Sequence, residues 1–248
     1  AVILLRDAPA PELVLIDRMS QVVALETSSF MARKYPSSSI GAVAAIRQTL
    51  LDAQRQRAWT ERYAATPVGM RHPHYRASDA PLMAVLRRDT PVVFVSRARL
   101  DPARFRAFKD EFELNAMVVG DGLTQSVDEL TAAGMPLLLP LTMPDKPDVV
   151  DADDARETTL RQLQTFVRAP GVPAALASAG TEFAFVTVGM KSVRDFSKNL
   201  AAVVDAGLSP ARALAAVTTV PAALLGLDRT LGTIEPGKQA NLCLFYTS

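Results

Sequence analysis

The amino-acid sequence predicts an α/β fold in which parallel strands are covered by helices. Three observations carry that prediction. Apolar runs of about five residues recur with almost no polar alternation, as strands buried on both faces require. Segments with apolar residues three and four apart stand between them. No GxGxxG or P-loop turn occurs to favour a nucleotide-binding sheet. A barrel and a doubly wound sheet both satisfy this pattern.

The elements follow in order. Ala1–Leu5 reads as a short strand, and Val22–Leu25 is an apolar, β-prone run ending in Glu26 and Thr27. From Ile40 to Ala64 the spacing of Ile40, Val43, Ala44, Ile46, Leu50 and Leu51 is helical, with Arg47, Arg55 and Arg57 on a solvated face. A loop rich in Pro, His and Arg runs from Pro67 to Ser78, and a short helix is expected over Pro81–Arg88. Pro91–Val95 reads as a buried strand, and Asp101-Pro102 opens a helix with Asp placed to cap it. Asn115–Val119 is the next strand, Leu123–Ala133 a helix closed by Gly134, Pro136–Leu141 a strand and Asp153–Val167 a polar helix. Pro173–Ala179 is a short helix, Glu182–Thr187 a strand, Val193–Ala206 a helix ended by Gly207, and Ser209-Pro210 starts one more helix.

Composition narrows the function classes. At 248 residues and 49% hydrophobic content the chain can bury a substantial core. Its 27 basic and 26 acidic side chains are interspersed and leave a formal charge of +1, which is no footprint for nucleic acid. No apolar run approaches the roughly 18 to 20 residues that span a bilayer, so the expectation is a soluble protein with no membrane partner. The single cysteine, Cys243, excludes an internal disulfide and a Cys-rich metal site and is expected to be a packed thiol.

The stretch from Ala206 to Phe245 contains a Gly-Leu-Ser turn at Gly207–Ser209, a helix-forming segment with Thr218 and Pro221-Ala222, Leu225-Gly226-Leu227, and then Leu231-Gly232-Thr233-Ile234-Glu235-Pro236-Gly237-Lys238. This resembles the closing signature of the amidohydrolase superfamily. Upstream, Tyr35-Pro36-Ser37 through Gly41 and Ala45-Ile46-Arg47-Gln48 to Asp52-Ala53 is similar to a stretch in a bacterial branch of imidazolonepropionase-like and prolidase-like amidohydrolases. Pro91–Phe94, Asp128–Leu130, Ala133–Pro136 and Asp195–Leu200 extend the similarity. The resemblance implies a TIM-type (β/α)8 barrel over residues 1–230, with residues 231–248 beginning the return into a small β-sandwich. It also implies that the opening of the barrel, with the strand ending in a metal-binding His-x-His, and part of the sandwich are missing. The expected consequence is a homo-oligomer, or a chain that is part of a larger polypeptide.

Relatives of this kind hold divalent metal at the C-terminal mouth of the barrel, where bound water becomes hydroxide. Aligned by strand, Val95 and Gly120 take the positions of two His ligands and Val188 that of an Asp. None of the three can ligate a metal, so no cofactor is expected. His72-Pro73-His74 has the right spacing but lies in a loop between helices, where a surface role is expected. Polar residues at the predicted strand ends include Glu26, Thr27, Ser96, Arg97, Asp121, Thr142, Thr187 and Lys191. Among these, Glu26, Asp121 and Thr187 are the catalytic candidates, Glu26 and Asp121 as a carboxylate pair for acid-base chemistry. Arg97 and Lys191 are the candidates for binding an anionic group on a small-molecule ligand at the mouth. A rim of ordinary salt bridges explains the same residues. The leading expectation is a metal-free, catalytically impaired amidohydrolase-like domain. The alternative is a hydrolase of C–N bonds, in a cyclic amide or peptide-like substrate, with part of its site in a missing N-terminal segment.

Overall fold

In a computed structural model of the chain, the described residues are 2–3, 9, 14–27, 35–74, 76–120, 122–151 and 156–241. They form two compact units, Ser20–Met117 and a second made of Ala1–Met19 with Val118–Ser248.

In the Ser20–Met117 unit, strand β3 (Gln21–Ala24) pairs in parallel with β4 (Val92–Val95), Gln21 opposite Val92 and Ala24 opposite Val95. The Val92 N–H donates to Asn115 O at the approach to β5 (Ala116–Val119), 2.8 Å away. Helix α1 (Ser39–Ala65) starts where the Ser38 side chain accepts from Gly41 N, and it buries Ala42, Leu50 and Ala53. Helix α2 (Asp79–Leu86) begins two residues before the expected Pro81 and packs on α1. Helix α3 (Asp101–Phe112) buries Phe105, Phe108 and Phe112. Phe105 stacks on Phe94 of β4 with ring centroids 4.6 Å apart. All-apolar β4 thus carries the core of this unit, as its lack of alternation predicts.

In the other unit, β5 pairs in parallel with β6 (Leu137–Pro140), and β6 with β7 (Phe183–Val186). Their inward residues Val118, Leu137, Leu139, Phe183 and Ala184 are wholly removed from water. A separate antiparallel ladder joins β1 (Val2–Ile3) to β2 (Val14–Ile16). The sequence reading passed over β2, although Val14-Leu15-Ile16 is an apolar, mostly β-branched triplet. Of the expected strand Ala1–Leu5, only Val2 and Ile3 are described.

The helices of this unit correct the sequence reading in three places. The expected helix Leu123–Ala133 is a 3-10 turn over Gly122–Thr124 followed by α4 (Val127–Thr131). Ser126 and Glu129 form a capping box there, so the chain starts a fresh helix at that point. The polar helix after Asp153 has its regular part in α5 (Leu160–Arg168), opened by a second capping box between Thr159 and Gln162. No residue of α5 is buried, and Leu160 and Val167 on it are exposed. Helices α6 (Val172–Ser178) and α7 (Asp195–Asp205) fall within a residue or two of expectation. The last predicted helix divides into α8 (Pro210–Val217), with Ser209 as its cap, and α9 (Thr219–Leu224). The break is at Thr218, whose backbone leaves the helical region and whose hydroxyl donates to Leu214 O at 2.7 Å. Pro221, which lacks an N–H, lies just beyond.

Residues 231–241 continue as turns, with Gln239 N donating to Thr230 O at 2.9 Å. Gly232 has a φ of 96°, and a Cβ there would stand 2.8 Å from the Ala222 Cβ on α9. Close approach and a left-handed backbone together account for glycine at that point of the closing signature. Residues 242–248, with Cys243, lie outside the described residues. Within the described residues no helix is long and apolar enough to cross a membrane.

Candidate functional site

Parallel strands all deliver their C-terminal ends to one side, and the candidates stand on the loops that leave those ends. In the Ser20–Met117 unit, the register sets Ala24 opposite Val95 at the end of the ladder, and Glu26 and Arg97 each follow two residues beyond it. Their side chains meet: Arg97 Nη2 is 3.1 Å from Glu26 Oε1, with both groups mostly exposed. One catalytic candidate and one anion-binding candidate therefore neutralise each other.

The loop behind Arg97 is fixed by a residue whose role the sequence reading misplaced. Asp101 does not cap α3. Its buried carboxylate turns back toward β4, where Oδ2 accepts from Arg97 N at 3.0 Å and from Ala98 N at 2.8 Å. Arg104 reaches its other oxygen at 3.3 Å. A carboxylate at the first helical position lies too far along the chain to receive the helix's own leading amides in this way, so it satisfies those of the incoming loop. Ser96, also at this strand end, is buried.

The histidine pair is tied to α1. Trp59 Nε1 donates to Arg71 O at 3.0 Å and Gln56 Nε2 to His74 O at 2.9 Å. The His72 ring stands edge-on to Tyr63, centroids 5.2 Å apart, with Nδ1 2.7 Å from Pro73 O. Both histidines are exposed, on a loop stitched to a helix.

In the other unit, the ends of β6 and β7 border a polar groove of about 410 Å³. Its wall comes from Thr142–Lys146 after β6, Gly189–Lys191 after β7, and Asp195, Lys198 and Asn199 in the first turns of α7. Gly189, with a φ of 76°, turns the chain out of β7. Asn199 Nδ2 donates to Leu141 O at 2.8 Å, which holds the start of α7 to the end of β6. Lys191 Nζ lies 2.7 and 3.0 Å from the two oxygens of Asp145. The second anion-binding candidate is thus engaged with a carboxylate as well, one that the sequence reading did not single out. Thr187 is exposed on the turn that leads to Lys191. Asp121 lies outside the described residues, so the structure does not address its pairing with Glu26.

The three aligned metal-ligand positions differ in what they offer. Val188 is exposed and Val95 half-buried. Gly120 is buried, and a Cβ there would meet Gln125 Oε1 at 3.2 Å and Leu130 Cδ2 at 3.3 Å. Among the described residues no three His, Cys, Asp or Glu side chains come together in a way that could hold a metal ion. The donor set among the described residues does not fit a catalytic metal that needs three protein ligands.

Comparison with known proteins agrees with the resemblance. Residues 148–248 match the amidohydrolase family. The chain superposes on an amidohydrolase from Thermotoga maritima MSB8 with a TM-score of 0.67 and 16% identity, over 95% of this chain and 59% of that one. A Xaa-Pro dipeptidase with bound methionine gives a TM-score of 0.46 at 17% identity, over 68% and 43% of the two chains. A prolidase complexed with N-methylphosphonate-L-proline gives 0.44 at 15%, over 67% and 41%. No curated protein matches. The chain thus spans about three-fifths of the length of the first structure and less of the others.

Proposed function

We propose that this chain, whose residues 148–248 match the amidohydrolase family, is a metal-free, catalytically impaired relative that keeps the strand-end mouth as a binding surface. Gly120 carries the reading. Gly120 itself offers no ligating side chain, and a Cβ there would press on Gln125 Oε1 and Leu130 Cδ2, 3.2 and 3.3 Å away. Val95 and Val188 add two more positions without a lone pair to give. Zinc in sites of this kind takes at least three protein ligands with supporting groups around them. His72 and His74 provide two at most, and their loop is bonded to α1.

A hydrolase of C–N bonds is the second reading, and the family match favours it. It draws its metal ligands from residues other than those three strand ends. One experiment separates the two. Purified protein is dialysed, its metal content measured, and turnover of cyclic amides and dipeptides followed with added zinc or manganese. The binding-surface reading expects less than stoichiometric metal and background turnover. Tightly held stoichiometric metal with metal-dependent turnover supports the hydrolase and overturns it.

A further inference from the structure

We infer that two copies of this chain associate, with the arginine-rich segment 55–76 of one copy seated against the acidic segment 145–157 of the other. Whether the chain holds metal does not enter. The charge distribution carries the inference. The whole chain has a formal charge of +1, yet residues 55–76 hold five arginines against one acid, Glu61, a net +4. Residues 145–157 hold six acids against Lys146 and Arg156, a net −4. Asp153 and Asp154 lie outside the described residues; Asp145, Asp148, Asp151 and Glu157 are described, and all four are exposed.

Local bonds fold each segment into one surface. In the Ser20–Met117 unit, Gln56 Nε2 and Trp59 Nε1 hold the 71–74 loop against α1, which sets Arg71 beside the last turns of the helix, where Arg62 stands. Arg57 is matched by Glu61 at 2.8 Å, while Arg62, Arg71 and Arg76 are exposed and have no ion pair among the described residues. In the other unit, Thr158 Oγ1 donates to Asp148 O at 2.8 Å, which closes the acidic segment into a loop and brings Asp148 to the chain next to Glu157. Both surfaces also leave apolar side chains in water: Trp59 and Val68 on the first, Val149 and Val150 on the second, with Leu160 of α5 just beyond. Exposed Trp and Arg beside apolar side chains are the composition that protein interfaces favour. The Trp59 indole is already held by Arg71 O, so seating it against a partner costs little rotamer freedom. A nucleic acid would answer to the basic segment alone, and a small anion would leave the apolar side chains in water. A second copy answers to both segments at once.

The test is sedimentation velocity over a dilution series of the chain. The parent associates at roughly 50 mM salt and dissociates at roughly 500 mM, because screening weakens contacts between charged surfaces. Arg62→Glu with Arg71→Glu makes both surfaces acidic, and Asp148→Lys with Glu157→Lys makes both basic, so each variant alone associates at least about tenfold more weakly than the parent. An equal mixture of the two variants associates again, a rescue that misfolding cannot imitate. Arg229→Glu, which reverses an exposed charge in the turn after α9, changes nothing. A parent that stays monomeric at low salt, association that high salt leaves intact, or a mixture no tighter than its separate components overturns the inference. So does an oligonucleotide that binds the parent while the chain does not self-associate, which would assign the basic segment to a polyanion instead.

Discussion

The loops after β3 and β4 and those after β6 and β7 solve the same problem with opposite outcomes. In the first pair the charges cancel, Glu26 against Arg97, and the backbone behind them is clamped by a buried carboxylate, Asp101. In the second pair one couple cancels, Asp145 against Lys191, while two lysines are left over around a groove. The first end is finished as structure, whereas the second retains unspent charge in a concave wall. Polar residues at strand ends are therefore not by themselves evidence of a site. What distinguishes the two is whether each charge already has a partner.

The largest effect is expected at Gly120, buried just after β5. Gly120→His places a ring where Gln125 and Leu130 stand, and overpacking with a polar ring is expected to cost about 3 kcal/mol. Urea denaturation measures it. A variant as stable as the parent that also binds zinc would show that this strand end can still hold a ligand, and would remove the main support for the metal-free reading.

Asp101→Ala comes next. It strips two backbone N–H groups of a charged acceptor inside the β4–α3 loop, and loss of about 2 kcal/mol is expected by the same measurement. Hydrogen exchange at Arg97 and Ala98 should accelerate together. Unchanged exchange would mean that the loop is held by something other than this carboxylate, and the contrast between a clamped end and an open one would lose its basis.

The smallest effect is expected at Glu26. Its pair with Arg97 is mostly exposed, and such pairs contribute less than about 1 kcal/mol. Glu26→Gln should leave stability almost unmoved, with the small difference vanishing in 1 M salt. Its informative readout is hydrogen exchange at Arg97 and Ala98, which should stay slow because the Asp101 carboxylate still accepts from both amides. Faster exchange would show that the ion pair, and not the buried carboxylate alone, holds this end.

Much of the architecture was decided by local sequence. The unalternating runs at Pro91–Val95, Pro136–Leu141 and Glu182–Thr187 are buried parallel strands because a strand covered on both faces has no side to leave polar. Ser209-Pro210 starts a helix through a hydroxyl cap and a residue that needs no N–H partner. Ser126–Glu129 and Thr159–Gln162 were equally legible as capping boxes, and reading them would have set the starts of α4 and α5 correctly. The closing signature from Gly207 to Lys238 lies within the residues that match the amidohydrolase family, so that likeness was legible in advance of any structure. Tertiary structure alone decided the rest. Asp101 satisfies a loop rather than its own helix because the direction of a side chain depends on which donors lack partners nearby. Asp145 and Lys191 are 46 residues apart and Glu26 and Arg97 still farther, so their cancellation arises only when strand register sets the ends side by side. Gly120 reads in sequence as a missing ligand; only packing shows that a Cβ there would press on Gln125 and Leu130.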